Sequence, residues 1–244
     1  MSANVDTSEI ARFDKLAAHW WDPRGEMGPL HSINPPRVGY IDRAAGGLKG
    51  KTVVDVGCGG GILTEALAAK GANALGIDLA ADVLEAAKVH ARQSKLKVDY
   101  RKIAAEELVR EKPGAFDLVC CLEMLEHVPH PEQTVRACAQ LAKPGGHIVF
   151  STINRNPKAY ALAILGAEYV LNLIPRGTHD YAKFIRPSEL DRWARAAGLE
   201  VIGLKGLRYN PLLKTGSLAD DVDVNYLMHC VKPGVGSRES GVSE

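Results

Sequence analysis

The stretch Val53-Val-Asp-Val-Gly57-Cys-Gly59-Gly60-Gly61 decides the fold. Its first half is a short β-branched run, which fits a strand buried on both faces. Its second half is a glycine loop. Residues 62–70 then carry helical spacing and stop at Gly71, a good C-terminal cap. A strand that turns through glycines into a helix presents free backbone N–H groups, and bare Cα atoms let a ligand lie against the chain. About twenty residues on, a second strand over 74–78 ends in Asp78. An acid there is placed to take two ribose hydroxyls in a doubly wound fold.

The same rhythm continues outward. Residues 82–93 read as a helix, 98–103 and 116–122 as strands, 131–141 as a helix opened by Pro131, and 147–152 as a fifth strand. Lys143-Pro-Gly-Gly146 reads as a turn. After Thr152 comes an excursion, 154–185, with two helical-looking pieces. A helix over 188–197 ends at Gly198, and 201–207 and 222–230 close the pattern as strands joined by a longer link. Upstream, 8–21 has helical spacing, 22–36 is polar and turn-rich, and Pro36 opens a short helix over 37–45. The expectation is an α/β, Rossmann-like fold, with a seven-stranded, mostly parallel sheet and helices on both faces. Residues 1–50 form a helical cap, 51–232 the main domain with an insertion at 154–185, and 233–244 a Gly- and Ser-rich disordered tail.

Composition narrows the partners. The 244 residues carry 30 Lys+Arg against 29 Asp+Glu, so no basic excess points to nucleic acid. The five cysteines are odd in number and form no CxxC pair, which argues against a disulfide framework or zinc knuckle and for a reducing compartment. No targeting segment is evident. The longest apolar run, 159–174, is broken by Glu168 and Asn172 and is short for a membrane span. With Arg155 and Lys158 before it and Arg176 after it, the run suits either a lid on the domain or contact with an anionic membrane surface. The expected location is cytoplasmic, at most peripheral to the inner face of the cell membrane.

The dinucleotide pattern G-x-G-x-x-G requires glycine at position 62, where this chain has Ile62. That counts against a nicotinamide-dependent oxidoreductase. Glycines at 57, 59 and 61 after Asp55 resemble motif I of class I S-adenosylmethionine-dependent methyltransferases. Glu106 and Glu107 stand where such folds reach the adenine, or simply begin a solvated helix. Beyond the fourth strand lie Glu123, Glu126 and His127. On a helical turn, positions i, i+3 and i+4 share a face, so these three could hold a divalent ion. A surface helix start with a packing histidine fits the same spacing equally well.

Taken together, several motifs resemble the ubiquinone biosynthesis O-methyltransferase family. They are Asp55-Val-Gly-Cys-Gly-Gly-Gly61, Glu123-Met-Leu-Glu-His-Val-Pro129, Lys143-Pro-Gly-Gly146, Trp20-Trp21-Asp22, and Leu30-His-x-Ile-Asn-Pro35 with Arg37. Phe150-Ser-Thr-x-Asn-Arg155, Gly166-Ala-Glu-Tyr169, Gly177-Thr-His-Asp180 and Val222-Asp-Val-Asn-Tyr226 extend the resemblance over roughly residues 8 to 230. It implies a class I methyltransferase that moves a methyl group from S-adenosylmethionine to a ring hydroxyl of polyprenylated phenol and quinol intermediates, at two steps of ubiquinone biosynthesis. It places the donor at Arg37, Gly57, Asp78 and Leu122. It places a divalent ion, usually Mg²⁺, at Glu123, Glu126 and His127, which then carry the catalysis. It also implies a quinone-biosynthesis enzyme complex as partner. A dead methyltransferase fold serving as scaffold, or an enzyme for another small phenol or carboxylate, are the competing readings.

Overall fold

The computed structural model describes residues 4–160 and 181–234. Its strands are β1 (Thr52–Val56), β2 (Asn73–Asp78), β3 (Asp99–Lys102), β4 (Phe116–Leu122), β5 (Ala142–Ile153), β6 (Glu200–Asn210), β7 (Thr215–Ala219) and β8 (Asn225–Val231). They make one sheet in the order β3-β2-β1-β4-β5-β8-β6-β7. The first five are parallel; β8 runs antiparallel to β5 and β6, and β7 antiparallel to β6. Chain order reverses between β1 and β4, so the crevice outside their carboxyl ends is the ligand position of a doubly wound sheet.

The helices are α1 (Thr7–Asp14), α2 (Gly28–Ala44), α3 (Ile62–Ala69), α4 (Ala81–Gln93), α5 (Ala105–Glu111), α6 (Pro131–Leu141), the short α7 (Pro157–Ala159) and α8 (Pro187–Ala196). Alternation along the strands supplies two cores. Val54, Val56, Val119, Cys121, Ile148 and Phe150 pack with Leu108 of α5, Val135 of α6 and Leu190 of α8. Val53, Leu118, Cys120, Leu122 and Val149 face the other way, onto Val38 and Ile41 of α2 and Leu63 and Leu67 of α3. Both faces of the sheet are therefore covered, which is why its strands read as continuous apolar runs. All five cysteines are buried and free.

Three readings of the sequence change. The sheet has eight strands, not seven, because the link before β8 folds back on β6 as β7. The helix expected over 8–21 stops at Asp14, and only a single 3-10 turn, Ala17–His19, follows. The Asp14 carboxylate instead accepts from the N–H groups of Asp82 at 2.9 Å and Val83 at 3.4 Å, capping α4, which has no cap of its own. The helix expected from Pro36 starts eight residues earlier, at Gly28, and runs through Pro35 and Pro36. Those prolines have a φ that suits a helix, but they leave the carbonyls of His31 and Ser32 without intrahelical donors and crowd them with their rings, a cost that the packing of α2 offsets. The turn expected at Lys143-Pro-Gly-Gly146 is present, looped out near the start of β5: register with β4 jumps from Phe116–Ala142 to Leu118–His147, and Gly145 takes φ +75°. Its lysine pairs with Asp117 at 2.7 Å, on the neighbouring strand.

Of the insertion expected at 154–185, residues 161–180 lie outside the described residues, and with them most of the apolar run and the motifs at 166–169 and 177–180. The same holds for the tail from 235. Among the described residues, no helix is long and apolar enough to cross a membrane.

Candidate active site

A cavity opens at the carboxyl ends of β1, β2 and β4. It is lined by the glycine loop, by Arg37, Asp78, Leu122, Glu123 and His127, and by the N-terminal segment. The loop glycines are needed for two reasons. Gly57, Gly59 and Gly61 have φ of +70°, +51° and +89°, which side chains with a Cβ resist. They are also crowded by the protein itself. A Cβ on Gly59 or Gly60 would lie 2.3 or 2.2 Å from the Trp20 ring, and one on Gly57 would lie 2.3 Å from Met124. The loop's bareness therefore seats Trp20 and Met124 of the protein itself.

Arg37 reaches the cavity from α2 as a buried guanidinium. Its Nη2 donates to Asn34 Oδ1 at 3.4 Å, and its Nε has no hydrogen-bond partner among the described residues. Burial lowers its pKa, and the nearby charges of Glu123 and Asp55 pull it back up. A buried cation on a cavity wall is a seat for an anionic group. Asp55 closes the loop from below. Its carboxylate accepts from the Thr64 hydroxyl at 2.6 Å, and burial pushes its pKa up to about 7 against the pull of Thr64 and Arg37. Asp78 accepts three backbone N–H groups, from Gly59 at 2.9 Å, Leu79 at 2.7 Å and Ala80 at 2.9 Å. Burial raises its pKa in spite of those bonds. Three of about four acceptor positions are filled, which leaves room for one ribose hydroxyl. Glu106 also lines the cavity, but it is held by Asn4 at 3.1 Å and by the Thr134 hydroxyl at 3.3 Å.

The acid–acid–histidine cluster departs from the shared face expected of it. Glu123 ends β4 in a left-handed backbone conformation, φ +53°, rare for a residue with a Cβ. Its carboxylate takes the Ser151 hydroxyl at 2.5 Å and Asn225 Nδ2 at 3.0 Å. Glu126 is buried behind the cavity wall and accepts from the Thr152 hydroxyl at 2.8 Å. Burial, then the charge of Glu123, pushes it up to about 7. His127 does line the cavity, yet its Nδ1 lies 3.3 Å from Glu9 of α1. The segment is one 3-10 turn, Leu125–His127, so the three side chains diverge. Among the described residues, no group of three His, Cys, Asp or Glu is arranged to hold a metal ion. As placed, this donor set does not fit the Mg²⁺ site that the resemblance implied, and no step below passes through one.

Comparison with known proteins now separates the readings. A methyltransferase-domain family model matches residues 38–204. The ubiquinone biosynthesis O-methyltransferase of Nitrosospira multiformis is 61% identical over 227 residues, covering 93% of this chain and 95% of its own. That of Acinetobacter baylyi is 56% identical, covering 95% and 98%. The chain belongs to the ubiquinone biosynthesis O-methyltransferase family. The magnesium protoporphyrin IX methyltransferase of Synechocystis PCC 6803, solved with SAH bound, shares the fold. Its TM-score is 0.69 at 17% identity, covering 93% of this chain and all of that one. The oxidoreductase reading is set aside.

Within this family member, sequence reasoning missed the roof of the cavity. Asn4, Val5, Asp6, Glu9, Phe13 and Trp20 all line it. Glu9 is the pivot. Burial works against its charge, but His127, Arg12 and Lys183 outweigh that and hold its carboxyl down at about 2. The Trp20-Trp21 pair hinted at this roof; nothing in the sequence singled out Glu9.

Proposed function

We propose that this chain transfers a methyl group from S-adenosylmethionine to a ring hydroxyl of polyprenylated phenol and quinol intermediates, at two steps of ubiquinone biosynthesis. The observation that carries the reading is the cavity itself. The buried Arg37 guanidinium and Asp78, with one open acceptor position, line it together at the switch point of the sheet. A zwitterionic amino-acid tail on a nucleoside answers both groups. The donor brings a methyl group already activated on a sulfonium sulfur, so alignment supplies much of the rate, up to about 7–11 kcal/mol.

The acceptor is the harder partner. A phenol of pKa about 10 is ionised roughly one part in a thousand at pH 7, a cost of about 4 kcal/mol. We assign His127 as the base that takes this proton. Glu9 at its Nδ1 fixes the ring and leaves Nε2 for the substrate hydroxyl. Leu122 and Phe13 supply an apolar wall for the ring. Attachment of a polyprenyl tail makes an anionic membrane surface and a quinone-biosynthesis complex the expected surroundings.

The test is transfer of labelled methyl from S-adenosylmethionine to a short-chain polyprenyl catechol, with Mg²⁺ and with EDTA. Product that survives EDTA supports His127 as base. Product lost in EDTA means that Glu123, Glu126 and His127 rearrange around an ion. Donor binding without product overturns the acceptor assignment. Sedimentation with anionic liposomes at low salt tests the membrane surface separately.

A further inference from the structure

The chain between α1 and α2 sits on the outer side of the glycine loop. Trp20 turns inward and lies over Gly59 and Gly60. Trp21 turns outward and does not line the cavity. Its indole Nε1 donates to the Gly60 carbonyl at 2.9 Å. Its ring stacks on the His90 imidazole, with centroids 3.4 Å apart and planes 3° from parallel. His90 Nδ1 lies 2.9 and 3.0 Å from the two carboxylate oxygens of Glu65. His31 meets the indole edge-on at 5.5 Å and approaches the Trp20 carbonyl through Nε2 at 3.0 Å.

Three elements converge on this one indole. Glu65 lies in the first turn of α3, which leaves the loop directly; its own N–H bonds back to the Gly61 carbonyl at 2.9 Å. His90 lies in the last turn of α4. The N-terminal roof is thereby tied to the loop, to the helix that follows it and to the next helix along. Neither His90 nor Glu65 lines the cavity, so the mechanism above leaves the whole stack unused.

We propose that Trp21, held by His90 and Glu65, is a positioning residue for the methyl donor. It latches the N-terminal roof onto the glycine loop and so sets the loop geometry that the donor meets and the rate at which the donor leaves. A flat aromatic stack fixes the ring plane, and the N–H···O bond fixes its position along the loop. The proposal rests on the donor seat described above.

The experiment is titration of the full chain with S-adenosylhomocysteine, which needs no acceptor, together with stopped-flow dissociation. Trp21→Ala weakens binding about tenfold, mainly through faster dissociation. Trp21→Phe keeps a stacking ring without the N–H and gives a smaller loss in the same direction. His90→Phe keeps the stack without the tie to Glu65 and also speeds dissociation. In turnover, donor KM rises while acceptor KM holds. If Trp21→Ala fails to fold, Trp21→Phe and His90→Phe carry the test. Folded Trp21 and His90 variants with wild-type affinity and dissociation rate overturn the latch. Wild type that does not bind S-adenosylhomocysteine at all overturns the donor seat instead.

Discussion

Asp55 shows how one buried side chain couples stability to pH. Its pKa rises from an ordinary 3.8 to about 7 because burial outweighs the Thr64 hydroxyl and Arg37. An acid whose pKa rises on folding holds its proton more tightly in the folded chain. Its contribution to stability is fully present below the unfolded value and is lost as pH climbs through the folded one. Between pH 5 and 8 the wild type therefore loses stability that Asp55→Asn keeps. Urea midpoints should show the variant gaining about 2 kcal/mol relative to wild type over that interval; parallel pH profiles would remove Asp55 as the titrating group. Gly59 is constrained in a different way. Gly59→Ala places a Cβ 2.3 Å from the Trp20 ring at φ +51°, so it should cost about 1–3 kcal/mol and weaken donor binding as Trp20 shifts. For His127, the base assignment predicts that His127→Asn lowers kcat by about a hundredfold or more, with S-adenosylhomocysteine affinity kept.

At the scale of elements, the hairpin of β6 and β7 decides how α2 is held. Gly216 of β7 passes so close to α2 that a Cβ there would lie 2.6 Å from Ile33 Cα and 2.8 Å from the Ser32 carbonyl oxygen. Both obstacles are backbone and cannot swing aside. Gly216→Ala should therefore push β7 off α2 and destabilise the fold by about 1–3 kcal/mol, read as a lower denaturant midpoint. Because α2 carries Arg37, donor affinity should fall with it. An unchanged midpoint would mean that the hairpin moves freely over α2. The end of α1 follows a similar logic. Helical spacing runs on past Asp14, yet the chain turns there because α4 takes the Asp14 carboxylate as its cap.

Across the whole molecule, the cavity is built from distant parts of the chain. Glu9 of α1 meets His127, Lys183 pairs with Asp6 and Glu9, and Asn4 reaches Glu106, Thr134 and the His130 carbonyl. A ligand in that cavity is in contact with the roof and the sheet at once. At a hundred times its Kd, S-adenosylhomocysteine should add about 2.7 kcal/mol of stability. For a chain of this size that corresponds to a Tm about 5–10 °C higher. The rise should shrink in Trp21→Ala, in which the roof is unlatched.

The glycine loop, Asp78 and the run of apolar strands were legible because each depends on local chemistry: glycine where φ is positive, an acid at a strand end, β-branched residues between two covered faces. Arg37 and Leu122 were reached through resemblance and do line the cavity. What the sequence could not determine was where side chains spend their bonding capacity. Glu123, Glu126 and His127 have the spacing of a shared face. Tertiary neighbours claim them one by one: Ser151 and Asn225, then Thr152, then Glu9. The strand β7, the stop of α1 at Asp14 and the Glu9 contact also depend on partners far along the chain. Local pattern fixes the backbone where local chemistry alone demands it, whereas strand pairings, hydrogen bonds and ion pairs between distant residues exist only once the chain has packed.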